Sequence, residues 1–253
     1  MTRLAGRTCL ITGASSGLGA HFALLAADAR ANVALAGRRT DRLMTLRDEL
    51  AAKGARVTAV AMDVTDEGSV KAAYDSVEAE LGLIDTVIAN AGVSSPGRTT
   101  DVSVDAIRQT FDTNILGVFL TVREGAKRMI AAGIRDSGRG RVVIIGSMGG
   151  QWRIAGEAAY CASKAAAANL GRHFASDWVR QGINVNVIQP GFIRTEMATD
   201  WFDTDGGKEQ IASFPRKRLQ PLESLDDAIL YLCSDASANT TGAVLTIDDG
   251  QSL

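Results

Sequence analysis

The 253-residue chain predicts an α/β fold in which one parallel sheet is covered by helices on both faces. Two observations carry that expectation. Short apolar runs recur along the chain with little internal alternation, as strands buried on both faces do. Longer amphipathic stretches separate them, a rhythm that implies right-handed crossovers between parallel strands. In addition, 26 glycines against four prolines favour tight strand-to-helix turns over proline-rich linkers. In chain order the strand-like runs are Cys9–Ile11, Val33–Ala36, Val57–Val60, Thr86–Ala89, Val142–Ile145, Val185–Ile188 and Val244–Ile247. Helical stretches between them include Asp41–Lys53, Glu67–Leu81 and Glu157–Arg180. No linker, repeat or low-complexity tract divides the chain, so one domain spanning residues 1–253 is expected. Residues 191–221 are the least regular stretch, and a connection of that length is expected to be a lid or binding loop.

Composition excludes several classes. Apolar residues at 46% and charged residues at 22% rule out a disordered or fibrous chain. A net charge of −2 provides no basic field for nucleic acid or for an anionic membrane surface. Three widely spaced cysteines, none in a CxxC, argue against a disulfide scaffold or structural zinc and for a reducing, cytoplasmic setting. With only His21 and His173, no metal site is expected. Residues 8–27 carry no formal charge, but Thr12-Gly13-Ala14-Ser15-Ser16-Gly17 interrupts them with polar, flexible residues where a membrane span must be continuous.

The first strand-like run ends in Thr12-Gly13-Ala14-Ser15-Ser16-Gly17-Leu18-Gly19. Its spacing, G-x3-G-x-G, differs from the G-x-G-x-x-G dinucleotide fingerprint but keeps the same physical logic. Glycines let the backbone turn and approach a pyrophosphate, while the following helix presents unpaired N–H groups and a partial positive charge. Dinucleotide-binding folds that take NAD place a carboxylate after the second strand. Here Gly37-Arg38-Arg39 stands in that place, and the first carboxylate is Asp41. Two guanidiniums suit a 2′-phosphate, so NADP(H) is the expected cofactor, with NAD(H) as the alternative.

With these residues in view the chain resembles the single-domain short-chain dehydrogenases/reductases along nearly its whole length. The markers come in order: the Thr12-Gly13…Gly19 turn, Asn90-Ala91-Gly92, Asn114, Ser147, Tyr160-Cys161-Ala162-Ser163-Lys164 and Pro190-Gly191. The resemblance implies a Rossmann-type, doubly wound, seven-stranded parallel sheet and a catalytic set of Asn114, Ser147, Tyr160 and Lys164, with Asn114 holding a water in a proton relay to Lys164. For the cofactor it points to Gly13, Ser15, Ser16, Gly17, Leu18 and Gly19 of the turn and to Arg38 and Arg39. Asp63, Val64, Asn90, Ala91 and Gly92 belong to the same expected set, as do Tyr160, Lys164, Pro190, Gly191, Ile193 and Thr195.

The residues point the same way. Of the three tyrosines, Tyr74 has Glu78 and Tyr231 has Asp235 one helical turn on, whereas Tyr160 has Lys164. A phenol with a pKa near ~10 is a weak base at neutral pH. An adjacent ammonium is expected to lower that pKa, and the positive nicotinamide of an oxidised cofactor to add to the effect. Tyr160 would then be general acid in reduction and general base in oxidation. Ser147 would donate to the substrate oxygen as charge develops there.

The expected substrate is a small ketone or secondary alcohol, apolar or aromatic, bordered by Trp152, Met197 and Trp201. A 3-oxoacyl group on an acidic carrier protein is the competing substrate, with Lys127, Arg128 and Arg172 as its potential basic patch. A dinucleotide-sensing regulator is the non-enzymatic alternative. Small residues Ala158, Ala159, Ala162 and Ala165–Ala168 suit close helix pairing, and with the resemblance they imply a homotetramer or homodimer.

Overall fold

The computed structural model describes residues 3–196 and 199–253. Strands β1 (Thr8–Thr12), β2 (Asn32–Gly37), β3 (Val57–Ala61), β4 (Thr86–Ala89), β5 (Gly140–Ile145), β6 (Ile183–Pro190) and β7 (Val244–Ile247) form one sheet in the order β3-β2-β1-β4-β5-β6-β7. Every neighbouring pair is parallel. All seven strand-like runs fall inside these strands.

Alternate strand residues feed two cores. Leu10, Val142 and Ile144 face one, together with Val70 and Tyr74 of α3 (Glu67–Leu81), Val118 and Val122 of α5 (Gly117–Ala131), and Ala167 and Phe174 of α6 (Ala158–Trp178). Cys9, Ile11, Val143 and Ile145 face the other, against Phe22 of α1 (Gly17–Asp28), Leu43 and Leu50 of α2 (Thr40–Ala52), and Ile229 and Leu232 of α9 (Asp226–Cys233). Over the inner strands β1, β4, β5 and β6 both faces of the sheet are therefore dry, which is why these strands read as continuous apolar runs, while β3 and β7 at the edges are partly exposed. His21 is a packing residue: its Nε2 lies 2.6 Å from Asp226 Oδ1, tying α1 to α9.

Two stretches depart from expectation. Residues 191–221 are not simply irregular, since they contain α7 (Thr199–Asp203) and α8 (Asp205–Ser213). Thr204 caps α8 by accepting from Gly207 N at 3.1 Å. The Gly206-Gly207 pair hid this helix, because glycine lowers helix propensity. The structure nevertheless needs Gly207, where a Cβ would lie 2.1 Å from the Trp201 carbonyl oxygen. Between α4 (Val104–Phe111) and α5 the helix widens into a π-turn, Asp112–Leu116, a feature the sequence reading did not foresee. Such turns occur often at functional sites, and this one carries Asn114.

Strand order reverses between β1 and β4. In an open α/β sheet a ligand binds beyond the carboxyl ends of the strands at that point. Among the described residues, no helix is long and apolar enough to cross a membrane, and no cluster of His, Cys, Asp or Glu could hold a metal ion.

Helix α6 lies close against β6 at Gly171, where a Cβ would sit 2.4 Å from Val187 Cγ2 and 3.5 Å from Ile144 Cδ1. Gly171→Ala should therefore destabilise the protein by about 1–3 kcal/mol through overpacking, despite alanine's better helix propensity. Urea unfolding would show the lowered midpoint, and an unchanged or raised midpoint would contradict this packing.

Candidate active site

A cavity of about 710 Å³ opens along the carboxyl ends of β1 to β6. At one end the β1–α1 turn supplies Gly13, Ser15, Ser16, Gly17 and Leu18 to its wall. Gly13 and Gly17 take φ of +66° and +53°, the left-handed region that glycine tolerates. Gly19 does not line the cavity and has a different function: a Cβ there would lie 2.2 Å from the Gly13 carbonyl oxygen, so it permits the tight turn itself. Ser16 precedes α1 without a side-chain cap, and the first turn of α1 has no acidic residue. That leaves an uncapped, positively polarised helix end facing the cavity, a geometry that fits a pyrophosphate.

The wall continues with Arg38 and Arg39 after β2, Met62, Asp63 and Val64 after β3, and Asn90, Ala91 and Gly92 after β4. Pro190, Gly191, Ile193 and Thr195 follow β6. Asp63 Oδ1 accepts from Thr65 N at 3.0 Å and from its hydroxyl at 2.8 Å, bonds that hold the carboxyl below its usual range. Asn90 fastens β4 to β1, its Nδ2 donating to the Thr12 carbonyl at 2.9 Å. Arg39 donates to Ser15 Oγ at 3.0 Å, to Ser16 Oγ at 2.5 Å and to Glu196 Oε2 at 2.8 Å. Glu196 Oε1 also accepts from Arg42 at 2.5 Å. Neither Glu196 nor Arg42 stood out in the sequence, because the ion pairs link residues more than 150 positions apart.

The other end of the cavity holds Ser147, Tyr160 and Lys164. Ser147 follows β5 by two residues in extended backbone and accepts from Gly149 N at 3.0 Å. Lys164 is 5% exposed, and its Nζ donates to the Ile145 carbonyl oxygen at 2.9 Å while lying 5.6 Å from the centre of the Tyr160 ring. Burial lowers the ammonium pKa to about 8. Tyr160 departs from expectation. Burial of the phenol raises its pKa to about 12, the Ser147 hydroxyl opposes the rise, and the Glu157 carboxylate adds to it. The expected lowering by Lys164 does not appear among the causes: desolvation of the phenol leads, and the only opposing contact is the Ser147 hydroxyl.

Asn114 lies behind this group and does not line the cavity. Its Oδ1 accepts from Val93 N at 2.9 Å, and its Nδ2 donates to the Val93 carbonyl at 2.8 Å and to Ser163 Oγ at 2.9 Å. Both amide hydrogens are engaged in joining the β4 loop to α6. A Cβ on Gly92 would sit 3.3 Å from Lys164 Nζ and 3.4 Å from Asn114 Oδ1, so these two polar groups converge over the missing side chain.

The expected substrate contacts fare differently. Trp152 and Trp201 are about half exposed and outside the cavity wall, with Trp201 Nε1 donating to Gln210 Oε1 at 2.6 Å. Met197 lies outside the described residues. The wall beside Tyr160 is formed instead by Val93, Ser94, Met148, Ile154, Glu157, Phe192 and Phe202. Ser94 follows Asn90-Ala91-Gly92 directly, and that adjacency was the one sequence signal that could have found it. Lys127, Arg128 and Arg172 do not line the cavity, and Arg128 is held by Asp75, Glu78 and Glu124, so these three do not form the expected basic patch at it.

A family model described as short chain dehydrogenase matches residues 7–206. The chain belongs to the short-chain dehydrogenase family. It is 32% identical over 251 residues to a D-threitol dehydrogenase of Mycolicibacterium smegmatis, covering 99% of this chain and 95% of that one. A short-chain type dehydrogenase/reductase from Mycobacterium marinum superposes with a TM-score of 0.91 at 35% identity, covering 99% and 97%. A gluconate 5-dehydrogenase from Burkholderia cenocepacia, solved in complex with NADP and tartrate, superposes at 0.92 with 29% identity, covering 99% and 96%.

This short-chain dehydrogenase is an NAD(P)-dependent oxidoreductase acting on alcohols and ketones. Its buried ammonium has a measurable signature. Folded Lys164 releases its proton near pH 8, whereas the unfolded side chain, with its ordinary pKa of 10.5, keeps it. The unfolded state therefore binds more protons between those values, and stability rises with pH across that window. Relative to Lys164→Met, the wild type should gain about 2 kcal/mol between pH 8 and pH 10. Parallel stability curves for the two proteins would show that Lys164 is not desolvated.

Proposed function

We propose that the protein is an NADP(H)-preferring carbonyl reductase and secondary-alcohol dehydrogenase, with Tyr160 as proton donor and acceptor. One observation carries the reading: Ser147, Tyr160 and Lys164 converge at one end of a cavity whose other end is the glycine turn and the Arg38-Arg39 pair. NADP(H), when bound, supplies or accepts the hydride. Gly13, Ser15–Leu18 and the α1 N-terminus hold its pyrophosphate in this reading. Asp63, Val64 and Asn90–Gly92 flank the adenosine portion, with Pro190, Gly191, Ile193 and Thr195 at the nicotinamide end.

The chain's own groups handle the proton. With a pKa raised to about 12, Tyr160 stays protonated at neutral pH and is set up to donate to a substrate oxygen. In the oxidising direction its proton must leave, and the Lys164 ammonium is the neighbour that favours the phenolate. Ser147 donates a hydrogen bond to the same oxygen, stabilising charge as it develops. A water over Gly92, between Asn114 Oδ1 and Lys164 Nζ, would connect the pair to a relay.

Arg38 supports the NADP preference. Among the described residues it makes no hydrogen bond to another side chain, and it lines the cavity and acts on Asp63 electrostatically. Arg39 is held by Glu196, so a 2′-phosphate competes with that carboxylate for its guanidinium. The NADP complex of the Burkholderia relative agrees with this preference. On the outer side of α6, Ala158, Ala162 and Ala165 are exposed, and Leu116 and Phe119 are exposed on the neighbouring helical segment, a surface that supports pairing with a second copy in a homodimer or homotetramer.

Tyr160→Phe should lower kcat/KM for ketone reduction by about 10²–10⁴-fold while leaving NADPH affinity within a few-fold, as read by nicotinamide absorbance and by fluorescence titration. Retained turnover would remove the proton-donor role. Arg38→Asp should weaken NADPH binding at least tenfold more than NADH binding, since it removes a charge-assisted contact and adds repulsion. Equal weakening of both would remove the 2′-phosphate assignment.

A further inference from the structure

Glu157 stands immediately before α6 and lines the cavity beside Tyr160. Glu157 is the N-cap residue of α6, three positions before Tyr160, and its carboxyl acts electrostatically on the Tyr160 phenol. Both Glu157 oxygens accept from one donor, Ser94 Oγ, at 2.7 Å each. A hydroxyl has a single proton to give, whereas a carboxylate offers about four acceptor positions. No ion pair among the described residues includes Glu157. Its carboxyl is pushed above the usual range by burial. The same cavity wall includes the apolar side chains Val93, Met148, Ile154 and Phe202. The cavity thus presents an acceptor that the protein itself leaves short of donors, three positions before Tyr160.

We propose that Glu157 sets the substrate class: alcohols and ketones carrying a hydroxyl or ammonium group one or two carbons from the reacting carbon, with carboxylate substituents selected against. The inference rests on the carbonyl reductase reading and narrows it, since an unsubstituted apolar ketone would leave the carboxylate desolvated with the Ser94 hydroxyl as its one described donor. Discrimination against acids follows from the charges present. The cations in the cavity wall are Arg38 and Arg39, at the glycine-turn end, and Lys164, buried against the Ile145 carbonyl. A substrate carboxylate near Glu157 would meet repulsion with no adjacent cation.

The test is a set of 3-substituted cyclohexanones bearing methyl, hydroxyl, ammonium or carboxylate, reduced by wild type and by Glu157→Gln with saturating NADPH. For wild type, kcat/KM should rank ammonium and hydroxyl above methyl by about tenfold or more, the scale of a hydrogen bond to a charged group, and carboxylate last. In Glu157→Gln the ammonium-to-methyl ratio should fall about tenfold or more, mainly through KM, and the carboxylate-to-methyl ratio should rise. The hydroxyl-to-methyl ratio should fall less, because an amide oxygen still accepts. Equal ratios in the two proteins, or a wild type that prefers methyl, would overturn the inference while leaving the carbonyl reductase reading intact. No turnover of any of the four ketones or their alcohols by folded wild type would overturn both.

Discussion

The proposed chemistry rests on an ammonium held out of water. Lys164 gives a hydrogen bond to the last carbonyl of β5 and is otherwise enclosed, so its charge is costly and its pKa falls toward neutrality. That one bond ties α6 to the end of β5, one strand beyond the reversal point. It also sets where Tyr160 stands, since the phenol shares the helix face one turn earlier. Gly92 leaves room for the arrangement by placing no side chain between Lys164 and Asn114.

Asn114 completes the frame from the other side. Its position in a π-turn lets a fully buried amide reach both the loop after β4 and Ser163 of α6. A regular helix would carry the same residue at a different angle. The buried polar group is satisfied on both hydrogens, which is the condition for such a network to rigidify a site rather than weaken it. The opposite edge of the sheet has its own polar lock. Arg7 and Arg141 are 1% exposed and donate to carbonyls of Arg139, Gly138, Gly140 and Ser234, far from the cavity. Rigidity at the amino ends of the strands and chemistry at their carboxyl ends are thus carried by different residues.

The cavity divides by charge. The glycine-turn end has two arginines and a helix N-terminus, suited to phosphate; the Tyr160 end mixes apolar side chains with Ser94, Ser147, the buried Lys164 and the Glu157 carboxyl. Glu196 belongs to the first half, where it bridges Arg39 and Arg42 across the rim and joins the segment after β6 to the segment after β2. These exposed ion pairs contribute little to stability. Their effect is local, because they hold the Arg39 guanidinium in place at the rim.

The sequence alone determined the sheet, the helices that cover it and the neighbourhood of the site. Strands buried on both faces leave unbroken apolar runs, and the Tyr160–Lys164 spacing on a helix is readable from residue order. Tertiary structure decided what sequence separation conceals. It turned Trp152 and Trp201 outward, brought Glu196 to Arg39, and set Ser94 against Glu157 across 63 positions. It also reversed the sign expected for the Tyr160 pKa. Charge spacing along a helix is local and legible, whereas desolvation depends on everything packed around the group, and that exists only after the chain has folded.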